Sequence, residues 1–579
     1  MILHEPELIE RYTRDGWWGQ TTVDDLFRAC VTDKPTQATL FDAPNRASFA
    51  FGSPQSLTFE ETDAVVMRLA ALLYREGVRK DDVVLVQLPN IIEIVIAFLA
   101  CARLGAIVSP VMMAYGERDL TRIITHLKPR LCLGLAQFKD GKPASLIRQI
   151  CSQQPDTPCT TLSLGSPDDG DALDLFSMTS APDESELRAY LDSIHIDAND
   201  MVTLHWTSGT TGDPKCVPRS HNNWHATGNC CVDAGGLIAG DRILAPMQMV
   251  HTAGYSGMVM PWLELQGALA LHQPFDMEVF LQQIEDLQIN HTVTAPAMLN
   301  ALLRNNILDD YDVSAIRSIL CGSAPLDAWM IEDFKQRYDI EIINAFGSTE
   351  GLTMLSSPGI TTDPHRRARY FPRFNGTANR GVTGQPWGVR IAASIECRLL
   401  DPDTGAEITE PRTPGEFACR SPAFFPGYLT ENGELDRSDF DDEGYFRTGE
   451  IFEIAGDGED TDFYHYIDRL KDVINRGGVK IPVGELEAAI QSLPQVSEAT
   501  AIGYPDRRLG ERICAVIVTT PGESLTLDQL ITELAGQGIA RYMQPERLEI
   551  VGSLPRNATG KVLKRDLAST LQARNQPPG

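Results

Sequence analysis

The feature that most constrains this chain is an alternation of short β-branched runs with stretches of helical period. Residues 65–76 are amphipathic at the helical repeat, residues 82–88 (DVVLVQL) have the apolar, β-branched character of a buried strand, and residues 91–104 return to a helix. The pattern recurs downstream: helical at 278–287, 297–303 and 328–338, extended at 291–294 and 318–320. Strands separated by helices cannot pair as hairpins, so they build a parallel, doubly wound sheet. After Gly384 the texture changes. Short extended runs at 396–400, 415–420 and 464–467 come with closely spaced turn residues, which suits an antiparallel sheet or distorted barrel. A small α+β unit follows, with helices at 484–492 and 527–536, strands at 498–503 and 513–519, and a basic tail at 561–565. The polar segments 165–171 and 361–379 read as loops or insertions.

The length of 579 residues exceeds what one core sustains, so at least two domains are expected. Lys plus Arg total 50 against 79 Asp plus Glu, a formal charge of −29. Such a chain is ill suited to sequence-independent binding of nucleic acid or anionic lipid, and an anionic ligand must be met by local cations and oriented N–H groups. The most apolar stretch, residues 91–108, is broken by Glu93 and Arg103 and reads as a buried helix rather than a membrane span. Twelve scattered cysteines with no C-x-x-C pair suggest reduced, mostly buried thiols, and no signal peptide is visible. A cytoplasmic protein is expected.

The most informative segment follows the apolar run 201–206: Thr207, Ser208, Gly209, Thr210, Thr211, Gly212, Asp213, Pro214, Lys215. Two glycines free the backbone to curl, four hydroxyls can donate to phosphate oxygens, and a lysine adds a point charge. The bland alternative, a polar turn after a strand, fits so dense a cluster poorly. The segment does not have the G-x-x-x-x-G-K-[ST] spacing of a P-loop.

This segment resembles the phosphate loop of the acyl-adenylate-forming superfamily, which includes acyl- and aryl-CoA synthetases, luciferases and nonribosomal adenylation domains. Further motifs follow in that family's order. Gly322, Ser323, Ala324 and Pro325 resemble the segment lining the adenine. Asn344 and Ala345 precede Phe346, Gly347, Ser348, Thr349 and Glu350, which resemble the aromatic-G-x-T-E motif. Residues 445–450 (YFRTGE), 468–472 (DRLKD), 477–480 (GGVK) with Glu485, and 555–561 (PRNATGK) resemble the remaining motifs.

The resemblance implies an α/β fold: a large N-terminal domain of doubly wound parallel sheets plus a distorted β-barrel (1–467), a hinge (468–471), and a small mobile α+β C-terminal domain (472–579). It implies ATP-dependent activation of a carboxylic acid to an acyl-adenylate, with release of pyrophosphate and transfer to a thiol. The thiol is that of CoA or of a carrier-protein phosphopantetheine, with CoA preferred. It assigns Lys561 to bridging the substrate carboxylate and phosphate, and Thr349 to the α-phosphate. Glu350 would hold Mg²⁺, a hard cation suited to carboxylate oxygen. Phe346 would pack on adenine, Glu450 and Arg469 would hold the ribose, and Lys471 would mark the hinge. Gly477 and Gly478 would let a pantetheine arm approach. His251, in an H-x-x-G element, reads equally as a group lining the acyl site and as a satisfied core histidine.

The chain departs from the family pattern where Glu450 replaces the usual Asp, Cys216 stands in place of a Gly after the loop lysine, and Pro482 sits one place early. No F-D-x-S element supplies the carboxylate that an amino acid's ammonium would need. Met249, Ala253, Gly254, Met258, Asn344, Ala345 and Thr353 instead suggest a mixed pocket for an aromatic, alicyclic or medium-chain acid. Arg476, Lys480, Arg507, Arg508 and Arg512 could meet a CoA phosphate, or be ordinary surface charge. His221 and His225, four apart, lack a visible third partner for a metal. An inactive scaffold is the non-enzyme alternative, and it would predict a damaged phosphate loop.

Overall fold

The computed structural model describes residues 1–154, 159–166, 170–177, 184–207, 214–373, 394–556 and 562–574. It divides into two compact units. One comprises Met1–Glu396 with Arg420–Phe440, and the other comprises Cys397–Cys419 with Asp441–Gly579.

The first unit is α/β and carries two eight-stranded sheets. In the first sheet, Thr353–Ser356, Glu341–Gly347, Ser318–Gly322, His291–Thr294, Arg242–Ala245, Ala268–Leu271, Ala38–Phe41 and Ser56–Thr58 lie side by side, parallel through the middle and antiparallel at both edges. The second runs Leu435–Asp436, Tyr428–Leu429, Lys215–Ser220, Met201–Thr207, Ile107–Pro110, Val83–Gln87, Leu131–Leu135 and Thr160–Leu164. Its last five strands are parallel, as crossover helices require.

Apolar side chains from both sheets meet on the helices Phe59–Arg75, Ile92–Leu104 and His221–Gly235 in one large core. Every residue of Ile92–Leu104 is buried, which explains why this helix has no polar face in the sequence. Its two charges are paired. Glu93 bonds Arg46, which also takes Asp42, and Arg103 holds Asp24 at 3.0 Å and Asp63 at 2.7 Å. No helix among the described residues is long and apolar enough to cross a membrane.

The second unit holds the neighbouring strands Phe463–Arg469, Phe446–Ile454, Gly415–Arg420, Glu396–Leu400 and Glu407–Ile408, with antiparallel pairing among the first three and between the last two. A further five-stranded sheet is built on the long hairpin Val496–Asp506 and Gly510–Thr519 and is packed by Gly484–Gln491 and Leu527–Gly536.

Three expectations are corrected. The segment read as a loop at 361–379 contains the helix Pro364–Arg369 and the strand Tyr370–Pro372, because Asp363 caps the helix through the His365 N–H and Pro364 presets its first turn. The basic tail begins the helix Lys564–Arg574, with Lys564 on Glu487 at 2.8 Å. Finally, ten cysteines are buried and outside any disulfide, but Cys151 and Cys159 form one. The end of the helix Pro143–Ser152 and the approach to Thr160–Leu164 bring their Cα atoms to 6.0 Å, within bridging range.

Candidate active site

In the first unit, parallel strands deliver the motif residues at their C-terminal ends, where open α/β sheets place ligands. Gly322 ends its strand opposite Ala345. A Cβ at Gly322 would stand 2.3 Å from the Ala345 carbonyl oxygen, so only glycine allows the strands to pair there. Ser323 follows in the left-handed region with φ +75° and ends the strand. On the neighbouring strand the Asn344 amide donates to the carbonyls of Arg367 and Ala368 at 3.0 and 2.9 Å, and so holds the helix that sequence reading missed. The rings of Phe346 and Phe371 lie 5.8 Å apart. Gly347 ends that strand, and the chain then turns through Thr349 and Glu350.

The turn is held from two sides. The Phe425 N–H donates to the Glu350 carbonyl at 2.9 Å, and Arg219 Nη1 donates to the Thr349 carbonyl at 3.0 Å. The Tyr428 hydroxyl donates to the Glu350 carboxylate at 2.7 Å. Burial, and then the Glu350 charge, push the Tyr428 phenol well above its ordinary range, so it remains a donor. Lys215 Nζ sits 4.1 Å over the Tyr428 ring and 3.1 Å from Asp439. Lys215 opens its strand in register with Thr207, whose hydroxyl accepts from the Lys215 N–H at 3.4 Å. Ser208, Gly209, Thr210, Thr211 and Gly212 lie outside the described residues, as does Lys561. The geometry therefore links Thr207, Lys215, Tyr428, Glu350 and Thr349 in one chain of contacts.

His251 immediately precedes the short helix Thr252–Gly254 without a side-chain capping bond, and burial holds its imidazole below the usual range, hence neutral at pH 7. The chain then continues as a π-helix, Tyr255–Val259, a form that concentrates at functional sites. Tyr255 packs edge-on against Phe98 and His205, at 4.8 and 5.0 Å between ring centres. Met249, Gly254 and Met258 are buried, while Thr353 is tied to the Gly351 carbonyl at 3.3 Å. Cys216 is buried and its thiol is pushed up by desolvation, which makes it a packing residue. His221 accepts from the Val23 N–H, and His225 bonds Glu264, so both are structural.

In the second unit, Glu450 and Arg469 face each other in register on adjacent strands and meet at 3.2 Å. The Tyr466 hydroxyl reaches the other Glu450 oxygen at 3.2 Å. Burial raises the Glu450 carboxyl, against the pull of Arg469. Burial also lowers Lys471. Asp468 accepts from the Val483 and Gly484 N–H groups at 2.5 and 3.1 Å, which fixes the chain after Pro482. Gly477 and Gly478 form the two-residue tip of the hairpin Ile474–Arg476 and Val479–Ile481. Their φ values of +64° and +87° are those a tight hairpin demands. Of the five expected basic residues, Arg476, Lys480 and Arg512 are already paired with Glu546, Asp403 and Asp506.

Sequence reading missed Tyr428, Asp439, Arg219 and Tyr466. A Gly-Tyr pair at 427–428 and an arginine beside Cys216, Val217 and Pro218 were the available signals.

The fold and these motifs define the class of acyl-adenylate-forming enzymes, AMP-forming acid–thiol ligases. Residues 36–429 match the AMP-binding enzyme family model, and residues 485–561 match the AMP-binding enzyme C-terminal domain. The chain belongs to the AMP-binding enzyme family. It is 29% identical over 521 residues to a probable CoA ligase, CCL5, of Humulus lupulus, covering 88% of this chain and 87% of that one. It is 26% identical to the medium-chain fatty-acid–CoA ligase of Escherichia coli (strain K12), covering 96% and 91%. The fold matches ATP-bound MatB from Rhodopseudomonas palustris with a TM-score of 0.76 at 24% identity, covering 96% and 100%.

Proposed function

We propose that this enzyme joins an aromatic, alicyclic or medium-chain carboxylic acid to CoA in two steps. In the first, a carboxylate oxygen attacks the α-phosphorus of ATP, the bond to the pyrophosphate oxygen breaks, and pyrophosphate leaves with the electron pair. In the second, the CoA sulfur attacks the acyl carbon, AMP leaves, and the thiol proton passes to solvent. The reading is carried by the contact chain Thr207–Lys215–Tyr428–Glu350–Thr349, which gathers a cation, hydroxyls and a carboxylate beside the strand ends.

The first step brings anions together, so catalysis rests on positioning and charge neutralisation. Lys215 and the phosphate loop take the phosphate chain, and the Thr349 hydroxyl takes the α-phosphate. Glu350, an oxygen donor steered by Tyr428, fits Mg²⁺, which when bound neutralises phosphate charge. Gly322 to Pro325 and Phe346 border the adenine, and Glu450 with Arg469 takes the ribose. Neutral His251, Met249, Tyr255 and Met258 line an acyl site without a fixed charge, which favours an apolar acid tail. Lys561 bridges the reacting carboxylate and phosphate. Asp468–Lys471 serves as the hinge that exchanges the adenylating and thioester-forming arrangements.

The test is carboxylate-dependent ATP–pyrophosphate exchange over benzoates, cyclohexanecarboxylate, medium-chain fatty acids and amino acids, followed by acyl transfer to CoA or to a carrier protein. Exchange with a neutral-tailed acid and transfer to CoA are expected. Exchange with amino acids alone, or transfer only to a carrier, would refute the corresponding half of the reading.

A further inference from the structure

Arg219 is an unusual residue for its place. It lies in the strand Lys215–Ser220, is fully excluded from solvent, and is among the largest wholly buried side chains. Elsewhere in this unit, buried arginines sit on carboxylates: Arg46 on Asp42 and Glu93, Arg103 on Asp24 and Asp63, Arg367 on Glu341. Arg219 instead meets neutral oxygens. Nη1 donates to the Thr349 carbonyl at 3.0 Å, while Nη2 donates to the Thr227 hydroxyl at 2.6 Å and the Asn223 carbonyl at 3.3 Å. Its guanidinium carbon lies 4.5 Å from the centre of the Trp224 ring. Its Nε is buried and has no hydrogen-bond partner among the described residues. Burial pushes the guanidinium down to about 9, and Glu350 is the carboxylate whose charge opposes that shift.

A buried cation without a contacting anion costs stability, so it persists where an anion supplied from outside completes it. The contact with Thr349 says where that anion is. We infer that Arg219 is a positioning residue of the Thr349–Glu350 turn. It fixes the turn through the Thr349 carbonyl and lends the phosphate-binding end of the unit a positive field, which the nucleotide's phosphates complete. The inference rests on the adenylating function proposed above. It also explains how a chain of net charge −29 attracts ATP at this point.

The experiment measures binding of adenosine, AMP and MgATP to the full-length protein and to Arg219→Met and Arg219→Lys by isothermal titration, with Tm recorded for each. For Arg219→Met, AMP and MgATP are expected to weaken about tenfold or more, the scale of one charge-assisted interaction, while adenosine stays within about twofold. Arg219→Lys keeps the charge but not the fork, and should retain most of the preference for phosphate-bearing ligands. Should Arg219→Met fail to fold, Arg219→Gln, which removes the charge but keeps an N–H donor for the Thr349 carbonyl, takes its place with the same expected outcomes. Equal weakening of adenosine and ATP in Arg219→Met, an unchanged ATP-to-adenosine ratio in that variant, or loss of the phosphate preference in Arg219→Lys overturns the inference. A wild-type protein that does not prefer ATP to adenosine would overturn the adenylation reading itself, a separate outcome.

Discussion

Replacing Tyr428 by Phe removes one hydroxyl and little else. The ring is 8% exposed, and its face, 4.1 Å from Lys215 Nζ, survives in Phe. What disappears is the 2.7 Å hydrogen bond to the Glu350 carboxylate. A hydrogen bond to a charged partner is worth about 1.5–3 kcal/mol, which corresponds to a loss of roughly ten- to a hundredfold when the freed carboxylate is misdirected. The assay is ATP–pyrophosphate exchange with the best acid, read as kcat and KM for MgATP, with Tm as the control for folding. The loss should fall on MgATP use rather than on the KM for the acid. A double-mutant cycle with Glu350→Gln isolates the pair. In the Gln background the hydroxyl meets only a neutral amide, so its removal should cost about 1 kcal/mol less than in the wild type. The reasoning is refuted if Tyr428→Phe remains within twofold of wild type, or if the two substitutions are simply additive.

Other consequences follow from the same contacts. Arg46→Met strands Asp42 and Glu93 in the core and should lower stability by about 3–5 kcal/mol, measured by urea unfolding of the first unit's transition. His4 and His291 are held down to about 4, and His205 and His221 to about 3, by burial. The unfolded chain therefore binds more protons than the folded one between these values and about 6.5, so stability is lost as pH falls through that window, by up to about 1.4 kcal/mol per unit for each histidine. Stability that stays flat from pH 7 to 5 would contradict that burial. Gly322→Val places side-chain atoms on the Ala345 carbonyl, 2.3 Å from an ideal Cβ, and should impair nucleotide binding before it unfolds the protein; tight binding of AMP to the variant would argue against the close approach.

Much of the architecture was legible because local pattern and burial agree. Residues 291–294, 328–338, 396–400, 415–420 and 527–536 were assigned with the bounds the structure has. The helix Ile92–Leu104 was legible as buried because interruption by Glu93 and Arg103 excluded a membrane span. The segment 361–379 was read as a loop because it is polar and contains glycine and proline; within it Asp363 and Pro364 start a helix, and the Asn344 amide, distant in sequence, donates to the carbonyls of its last turn. The Cys151–Cys159 bond was likewise invisible, since pairing depends on Cα separation and not on spacing in sequence.

The sequence by itself determined the reaction class, because phosphate and adenylate chemistry demand particular residue types in short ordered segments, and those segments are contiguous. It also determined the alternation of strand and helix, since side-chain periodicity is a local property. Tertiary structure alone decided that Tyr428 steers Glu350, that Arg469 meets Glu450, and that Arg219 reaches Thr349 from 130 residues away. These contacts join residues distant in the chain through sheet register and burial. A solvated tyrosine or arginine and a buried, oriented one are the same letter, and only the packing around them sets the charge and direction that the chemistry uses.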